Sequence, residues 1–502
     1  MSVLDGVLRQ AATRHPARRA VVHDGRELTY AQLDALTERV AAGLAQRGVQ
    51  AGHLAALVLP SSAEYVVAYL ALARLDAIGA GVTPRATAAE RGAVLERARP
   101  DLILATPELT DGVPGDIATV TIEQLGAAHI LSELQSDRPA PLSTTVVRDD
   151  HPETVVFTSG TTGTPKGALF TSAQMAAITR IDTGGAWGTG GAQLVATGLP
   201  HVGFMTKLAG YLQLGCTLHV LTRWRAADAL AVIAREKIEF IGGVAAQISL
   251  LLGVPDFDHH DLGAVRGLIV GAGPSPAALV QEARRRFDAG YSVRYSSTES
   301  GGLGTLTAFD APDDELLHTV GRPRPGTEVE IRDPETGTLC DVDAIGQVCL
   351  RSDAVMARYW RDPEATGRAL DADRWLRTGD LGAIDAHGRL RITGRIGEMY
   401  IRGGYNVFPL EVEAVLLDHP AVAAVAVVPR PDPVMGEIGV AVTVARDSSA
   451  PPTLDSLRDF ARQRLAAYKL PEAIRAVDAL PLTAMDKLDR RALARHEAEH
   501  QY

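Results

Sequence analysis

One run concentrates chemistry in a few residues: Thr158-Ser159-Gly160-Thr161-Thr162-Gly163-Thr164-Pro165-Lys166-Gly167, directly after an apolar stretch at 155–157 that reads as a strand. Glycines let a backbone approach an oligophosphate, amides and hydroxyls donate to its oxygens, and a lysine adds charge. The run is not the GxxxxGK[ST] phosphate loop, because Pro165 precedes Lys166 and Gly167 follows it. Composition alone leaves phosphate binding and an ordinary Gly/Thr turn both open. A second cluster, Val293-Arg294-Tyr295-Ser296-Ser297-Thr298-Glu299-Ser300-Gly301-Gly302, sets an aromatic ring, hydroxyls and a carboxylate at a strand end. The ring could lie against a base and Glu299 could hold Mg²⁺ on phosphate oxygens; a solvated turn would look the same. A third, Thr378-Gly379-Asp380, is followed fifteen residues later by Arg395. An Asp in a tight turn can accept both hydroxyls of a ribose while an Arg directs a donor at an oxygen, although Asp is also an ordinary turn former. Gly403-Gly404 and, near the end, Asp486-Lys487 complete the set.

The elements that must position these groups alternate. Apolar residues recur at helical spacing over 33–44, Gly48 and Gly52 break the pattern, and a short apolar run follows at 54–59. The same alternation predicts helices over 63–73 and 88–97 and strands over 78–82, 102–105, 155–157, 218–221, 240–241 and 268–270. Short continuous apolar strands between helices imply a mostly parallel sheet covered on both faces. The Pro-, Ser- and Asp-rich stretch 136–153 reads as a junction, and 321–392 as short strands between Gly, Asp and Pro, an all-β texture. The last hundred or so residues read as a separate unit, with helices over 410–417 and 453–466 and strands over 422–428 and 438–444.

The chain has 502 residues, 46% hydrophobic and 22% charged, enough for more than one domain and too apolar for disorder. A net charge of −11 disfavours nucleic acid and anionic membrane as partners. Cys216, Cys340 and Cys349 are odd in number and lack CxxC spacing, so neither a disulfide framework nor a zinc site is expected, and a cytoplasmic protein without integral membrane association is. Only five lysines stand against 45 arginines: Lys166, Lys207, Lys237, Lys469 and Lys487. Each is a place to ask whether a wide guanidinium would fail where a compact point charge serves. Lys207 and Lys237 lie in no motif and read as surface charges.

Taken in order and spacing, these segments resemble the adenylate-forming superfamily of acyl-CoA synthetases, luciferase-like enzymes and peptide-synthetase adenylation domains, over essentially the whole chain. The resemblance implies an α/β fold: a large N-terminal domain of two doubly wound α/β subdomains plus a small β-barrel (1–395), and a small mobile α+β C-terminal domain (396–502). It implies that a carboxylate attacks the α-phosphate of ATP to give an acyl-adenylate and pyrophosphate, and that coenzyme A then displaces AMP. Thr158, Ser159, Gly160, Thr161, Thr162, Gly163 and Lys166 would hold the β- and γ-phosphates, Glu299 would bind Mg²⁺, and Thr298 would contact the α-phosphate. Gly271, Ala272, Gly273 and Tyr295 would flank adenine, Asp380 would take the ribose hydroxyls, and Arg395 would assist. Lys487 would touch both the attacking carboxylate and the α-phosphate, and Gly403 and Gly404 would line the pantetheine channel once the C-terminal domain turns about a hinge at Gly397.

The sequence departs from the pattern in four places, the smallest being Ser296 where a Gly is common. Relatives carry Asp or Lys where Gly397 stands, and commonly Gly where Asp486 stands; a carboxylate there could draw Lys487 out of line or hold it ready. Relatives carry an aromatic-then-His gate after Leu-Pro; here the segment 199–205 is shorter by two residues, and the gate would fall to His201. In relatives the segment after the gate, the strand end near Gly242 and Ala245, and the stretch at Gly301 line the acyl pocket; small residues there suit a bulky apolar acid, fatty, aryl-alkanoic or polycyclic. An acyl carrier protein as thiol partner, an enzyme that stops at the adenylate, and a catalytically silent nucleotide binder are the alternatives.

Overall fold

The computed structural model describes residues 2–123, 130–138, 148–158, 165–273, 275–483 and 488–499. Its largest sheet has seven strands in the order Arg358–Tyr359, Gly167–Thr171, Pro152–Phe157, Ile78–Gly81, Leu54–Val58, Leu102–Ala105, Thr119–Thr121. The five strands from Pro152–Phe157 to Thr119–Thr121 are parallel; Gly167–Thr171 runs against them at one edge and Arg358–Tyr359 pairs antiparallel to it. Leu54–Val58, Ile78–Gly81 and Leu102–Ala105 are buried at every position, as continuous apolar runs in a parallel sheet must be. Helix Ala63–Arg74 is likewise buried on all sides, and its charges are paired: Glu64 with Arg26 at 2.8 Å and Arg74 with Asp5 at 2.7 Å.

A second sheet runs Phe240–Val244, Gly267–Gly271 and Gly290–Ser296 in parallel, then Gly304–Leu306 and Arg322–Pro323 antiparallel. A third joins Arg26–Thr29, Arg19–His23, Thr217–Val220 and Ala192–Val195. The small β unit is a four-stranded antiparallel sheet of Glu328–Arg332, Gly346–Arg351, Leu376–Ile384 and Leu390–Arg395. Val422–Asp432 and Gly436–Ala445, a long antiparallel pair, carry the last sheet, with Pro409–Leu417 and Leu454–Ala461 packed into its core through Val412, Leu416 and Leu457.

Three expectations need correction. The all-β stretch contains helix Pro363–Ala369, started by Asp362, whose side chain accepts from the Ala365 amide, with proline in the first turn. The helix expected over 453–466 stops at Ala461, because the chain turns there to send Leu465 and Leu470 back into the core. Lys207 is also not a surface charge; its side chain is only 7% exposed, whereas Lys237 is 53% exposed.

Candidate active site

In an open α/β sheet the loops beyond the carboxyl ends of the strands are where ligands bind. Thr158, Gly271 and Tyr295 all lie at such ends. The Gly/Thr run bridges two antiparallel strands, Phe157 opposite Gly167. At its mouth the Thr158 amide donates to the Lys166 carbonyl at 2.9 Å and the Lys166 amide to Thr158 Oγ1 at 3.4 Å. Ser159, Gly160, Thr161, Thr162 and Gly163 lie outside the described residues.

Thr298 and Glu299 sit in a turn clamped by two serines. The Ser297 amide donates to Ser300 Oγ at 3.0 Å and the Ser300 amide to Ser297 Oγ at 3.1 Å. The turn presents the Glu299 carboxylate to a residue the sequence reading missed. Tyr359, on the edge strand beside Gly167–Thr171, donates its hydroxyl to Glu299 Oε1 at 2.8 Å, and Lys166 Nζ lies 5.3 Å from the centre of its ring. Burial and the neighbouring Glu299 push the phenol far above its ordinary range, so it stays protonated and donates. No motif marks Tyr359; only its pairing opposite Ala168 brings it to the lysine and the carboxylate at once. Tyr359→Phe removes that hydrogen bond and keeps the ring, so KM for MgATP is expected to rise about tenfold, as for one bond to a charged group. A Mg²⁺ titration checks it: the midpoint should rise with KM while thermal stability is little changed.

The expected ribose acceptor is already engaged. Asp380 Oδ2 accepts from the Tyr295 hydroxyl at 2.6 Å, and Oδ1 lies 2.7 Å from Arg395 Nε across the strand pair that sets the two residues opposite each other. Gly379, at φ +76° inside strand Leu376–Ile384, precedes Asp380, whose amide is held by Thr378 Oγ1 at 3.0 Å. Burial pushes the Asp380 carboxyl above the usual carboxylate range, against the pull of Arg395. Beside Tyr295, Gly271 ends its strand so close to the Arg294 carbonyl that a Cβ would stand 3.1 Å from it. Ala272 follows at φ +66°, a left-handed conformation that a side chain disfavours, and Gly273 faces open space.

The expected acyl-wall residues separate into two kinds. Gly242 is exposed, with nothing within 4 Å of a would-be Cβ, and Ala245 opens helix Ala245–Leu252. Gly301 is buried, and a Cβ there would stand 2.7 Å from both the Ala354 carbonyl and Ile178. His201 caps helix Val202–Met205, its Nδ1 accepting from the Gly203 amide at 3.1 Å.

In the C-terminal part, Gly403 and Gly404 form the two-residue turn between Tyr400–Arg402 and Tyr405–Val407, both at positive φ, which this hairpin type requires. Gly397 has φ +89° and open space at its Cβ position. Asp486 and Lys487 lie outside the described residues. Next to them, Leu482 and Leu488 pair, and Arg490 grips Glu413 at 2.5 and 2.6 Å and Glu398 at 3.2 Å.

Strand ends that assemble a hairpin loop, a carboxylate turn and an Asp–Arg–Tyr cluster, followed by a second small α+β unit, define an adenylate-forming enzyme. The chain belongs to the AMP-binding enzyme family: the family profile matches residues 8–360, and that of the AMP-binding enzyme C-terminal domain matches 411–487. It is 31% identical to the long-chain-fatty-acid–CoA ligase FadD13 of Mycobacterium tuberculosis, over 97% of each chain. Its fold is similar to ATP-bound MatB from Rhodopseudomonas palustris (TM-score 0.88, 26% identity, 99% of each chain). It is also similar to o-succinylbenzoate CoA synthetase of Bacillus subtilis with its acyl-adenylate intermediate (TM-score 0.83, 28% identity, 97% of each chain). No helix among the described residues is long and apolar enough to cross a membrane.

Proposed function

We propose that this chain is an ATP-dependent acid:CoA ligase that activates a carboxylic acid with a bulky apolar body. The observation that carries the reading is the pair of linked groups on neighbouring strand ends, Lys166–Tyr359–Glu299 for the phosphates and Tyr295–Asp380–Arg395 for the nucleoside. A carboxylate oxygen attacks the α-phosphorus, the bond to the β-phosphate oxygen breaks, and pyrophosphate leaves. The thiol sulfur of CoA then attacks the acyl carbon, AMP leaves with the anhydride oxygen, and the thiol proton is released.

Among the described residues no three His, Cys, Asp or Glu side chains gather to hold a metal by themselves. A lone Glu299 fits Mg²⁺, which typically takes one or two protein carboxylates and completes its shell with phosphate oxygens and water. Bound there, the ion would neutralise phosphate charge; Tyr359 would hold Glu299 in register for it. Asp380 would exchange Tyr295 and Arg395 contacts for ribose hydroxyls. Residues 1–395 would form the domain that binds ATP and acid, and 396–502 the one that turns about Gly397 to bring Gly403 and Gly404 to the pantetheine.

The test is a carboxylic-acid panel read by pyrophosphate release, then by thioester formation. Pyrophosphate with acid and ATP, and a thioester only after CoA is added, is the expected result. Pyrophosphate without any CoA thioester would favour an acyl carrier protein as acceptor or an adenylate-only enzyme. ATP binding without label exchange between pyrophosphate and ATP would mean a silent relative.

A further inference from the structure

Lys207 has no part in the reaction above, yet the fold goes to some length to bury it. Its side chain lies in the segment after His201, and its far end rests against Gly302: a Cβ on Gly302 would stand 3.1 Å from Lys207 Cε, 3.7 Å from Nζ and 3.7 Å from Val202. The segment after the gate and the stretch after Glu299, two of the expected acyl walls, therefore meet at this ammonium group. Gly302, at φ +70°, puts no side chain between them.

The surrounding charges do not balance. Asp182 Oδ2 lies 2.8 Å from Lys207 Nζ and its Oδ1 is 3.0 Å from Arg324, while Arg294 reaches the Gly302 carbonyl. Lys207 and Arg324 thus share one carboxylate, with a third cation, Arg294, close by. Apart from the Asp182 contact, Lys207 Nζ has no acceptor among the described residues, and the buried Arg294 Nε has none. Burial, with Arg294 and Arg324 adding to it and Asp182 opposing, lowers the Lys207 pKa to about 8. A purely structural ion pair needs no such surplus, and a buried donor without an acceptor calls for an explanation. Surplus positive charge also repels a substrate amine, although Asp182 alone would attract one.

We infer that Lys207 is a specificity-determining residue whose ammonium group donates to an oxygen acceptor on the acid substrate, at the end remote from the carboxylate being activated. The substrate class is then an acid with an apolar body and a distal carbonyl or carboxylate. This rests on the acid-activation reading and refines its substrate.

The experiment compares three acids of equal length on the full chain, octanoate, 7-oxo-octanoate and octanedioate, with a matching set built on 3-phenylpropanoate. A site built to donate to an oxygen discriminates against the analogue lacking it, so kcat/KM for an oxygenated acid should exceed that for its apolar partner by about tenfold or more. Lys207→Met should abolish this preference while leaving KM for ATP near its wild-type value; Lys207→Gln, which keeps a donor without the charge, should retain it for the keto acid and lose it for the diacid. If the apolar acids match or exceed the oxygenated ones in the wild type, or if the folded Lys207→Met and Lys207→Gln variants both keep the full preference, the inference is wrong. The wild-type ratio decides even if a variant fails to fold. Failure of every acid in the broad panel to release pyrophosphate would instead overturn the acid-activation reading itself.

Discussion

Lys487→Ala is expected to slow pyrophosphate release by about 10²–10³-fold, the usual loss when one donor aimed at developing transition-state charge is removed. Thioester formation from a supplied acyl-adenylate should stay within a few-fold of wild type. The split follows from the chemistry. At the pentacovalent phosphorus the attacking carboxylate and the α-phosphate oxygens crowd together, and on the proposed reading Lys487 would bridge them as a single narrow cation, whereas the thiol step involves no attack on phosphorus. Lys487→Arg should not rescue the first step, since a planar fork is too wide for the gap. Equal loss in both half-reactions would make the lysine structural. Arg490, three residues after Lys487 in the chain, is tied to Glu398, the residue after Gly397.

Much of this site can be read along the chain because each of its motifs is local. Thr298 and Glu299, and Gly403 and Gly404, each sit within one turn, and the turn residues announce it, whereas Gly379 and Asp380, expected in a turn, lie inside strand Leu376–Ile384. Strands 54–58, 78–81 and 102–105 were equally readable, since burial on both faces leaves an unbroken apolar run. What escaped the sequence depends on contacts between distant segments. Tyr359 reaches Glu299 only because a two-residue strand adds to the edge of the sheet. Lys207 looked like a surface charge because its counter-charges, Asp182 and Arg324, are far away in the chain. Helix Pro363–Ala369 did have a local signal, Asp362 followed by proline, but it was overridden by the β texture on either side.

Asp380→Asn should raise KM for ATP at neutral pH by about ten- to a hundredfold, through loss of a charged acceptor for the two ribose hydroxyls. Asparagine keeps the shape and one acceptor oxygen, so kcat should fall far less than KM rises. The same carboxyl predicts a pH dependence with a definite sign. Burial pushes the Asp380 pKa up, so it takes a proton at higher pH than an exposed Asp, and the protonated form can no longer accept from both ribose hydroxyls. KM for ATP in the wild type should therefore climb as the pH falls through this raised value, well before ordinary carboxylates titrate, and return when the pH is restored. In Asp380→Asn the acid limb should disappear, leaving KM high and flat. Tyr295→Phe is the control: it removes the hydroxyl that donates to Oδ2 at 2.6 Å and keeps the ring, so the acid limb should move to higher pH. An acid limb of unchanged position in both variants would assign the titration to another group and remove Asp380 from the ribose site.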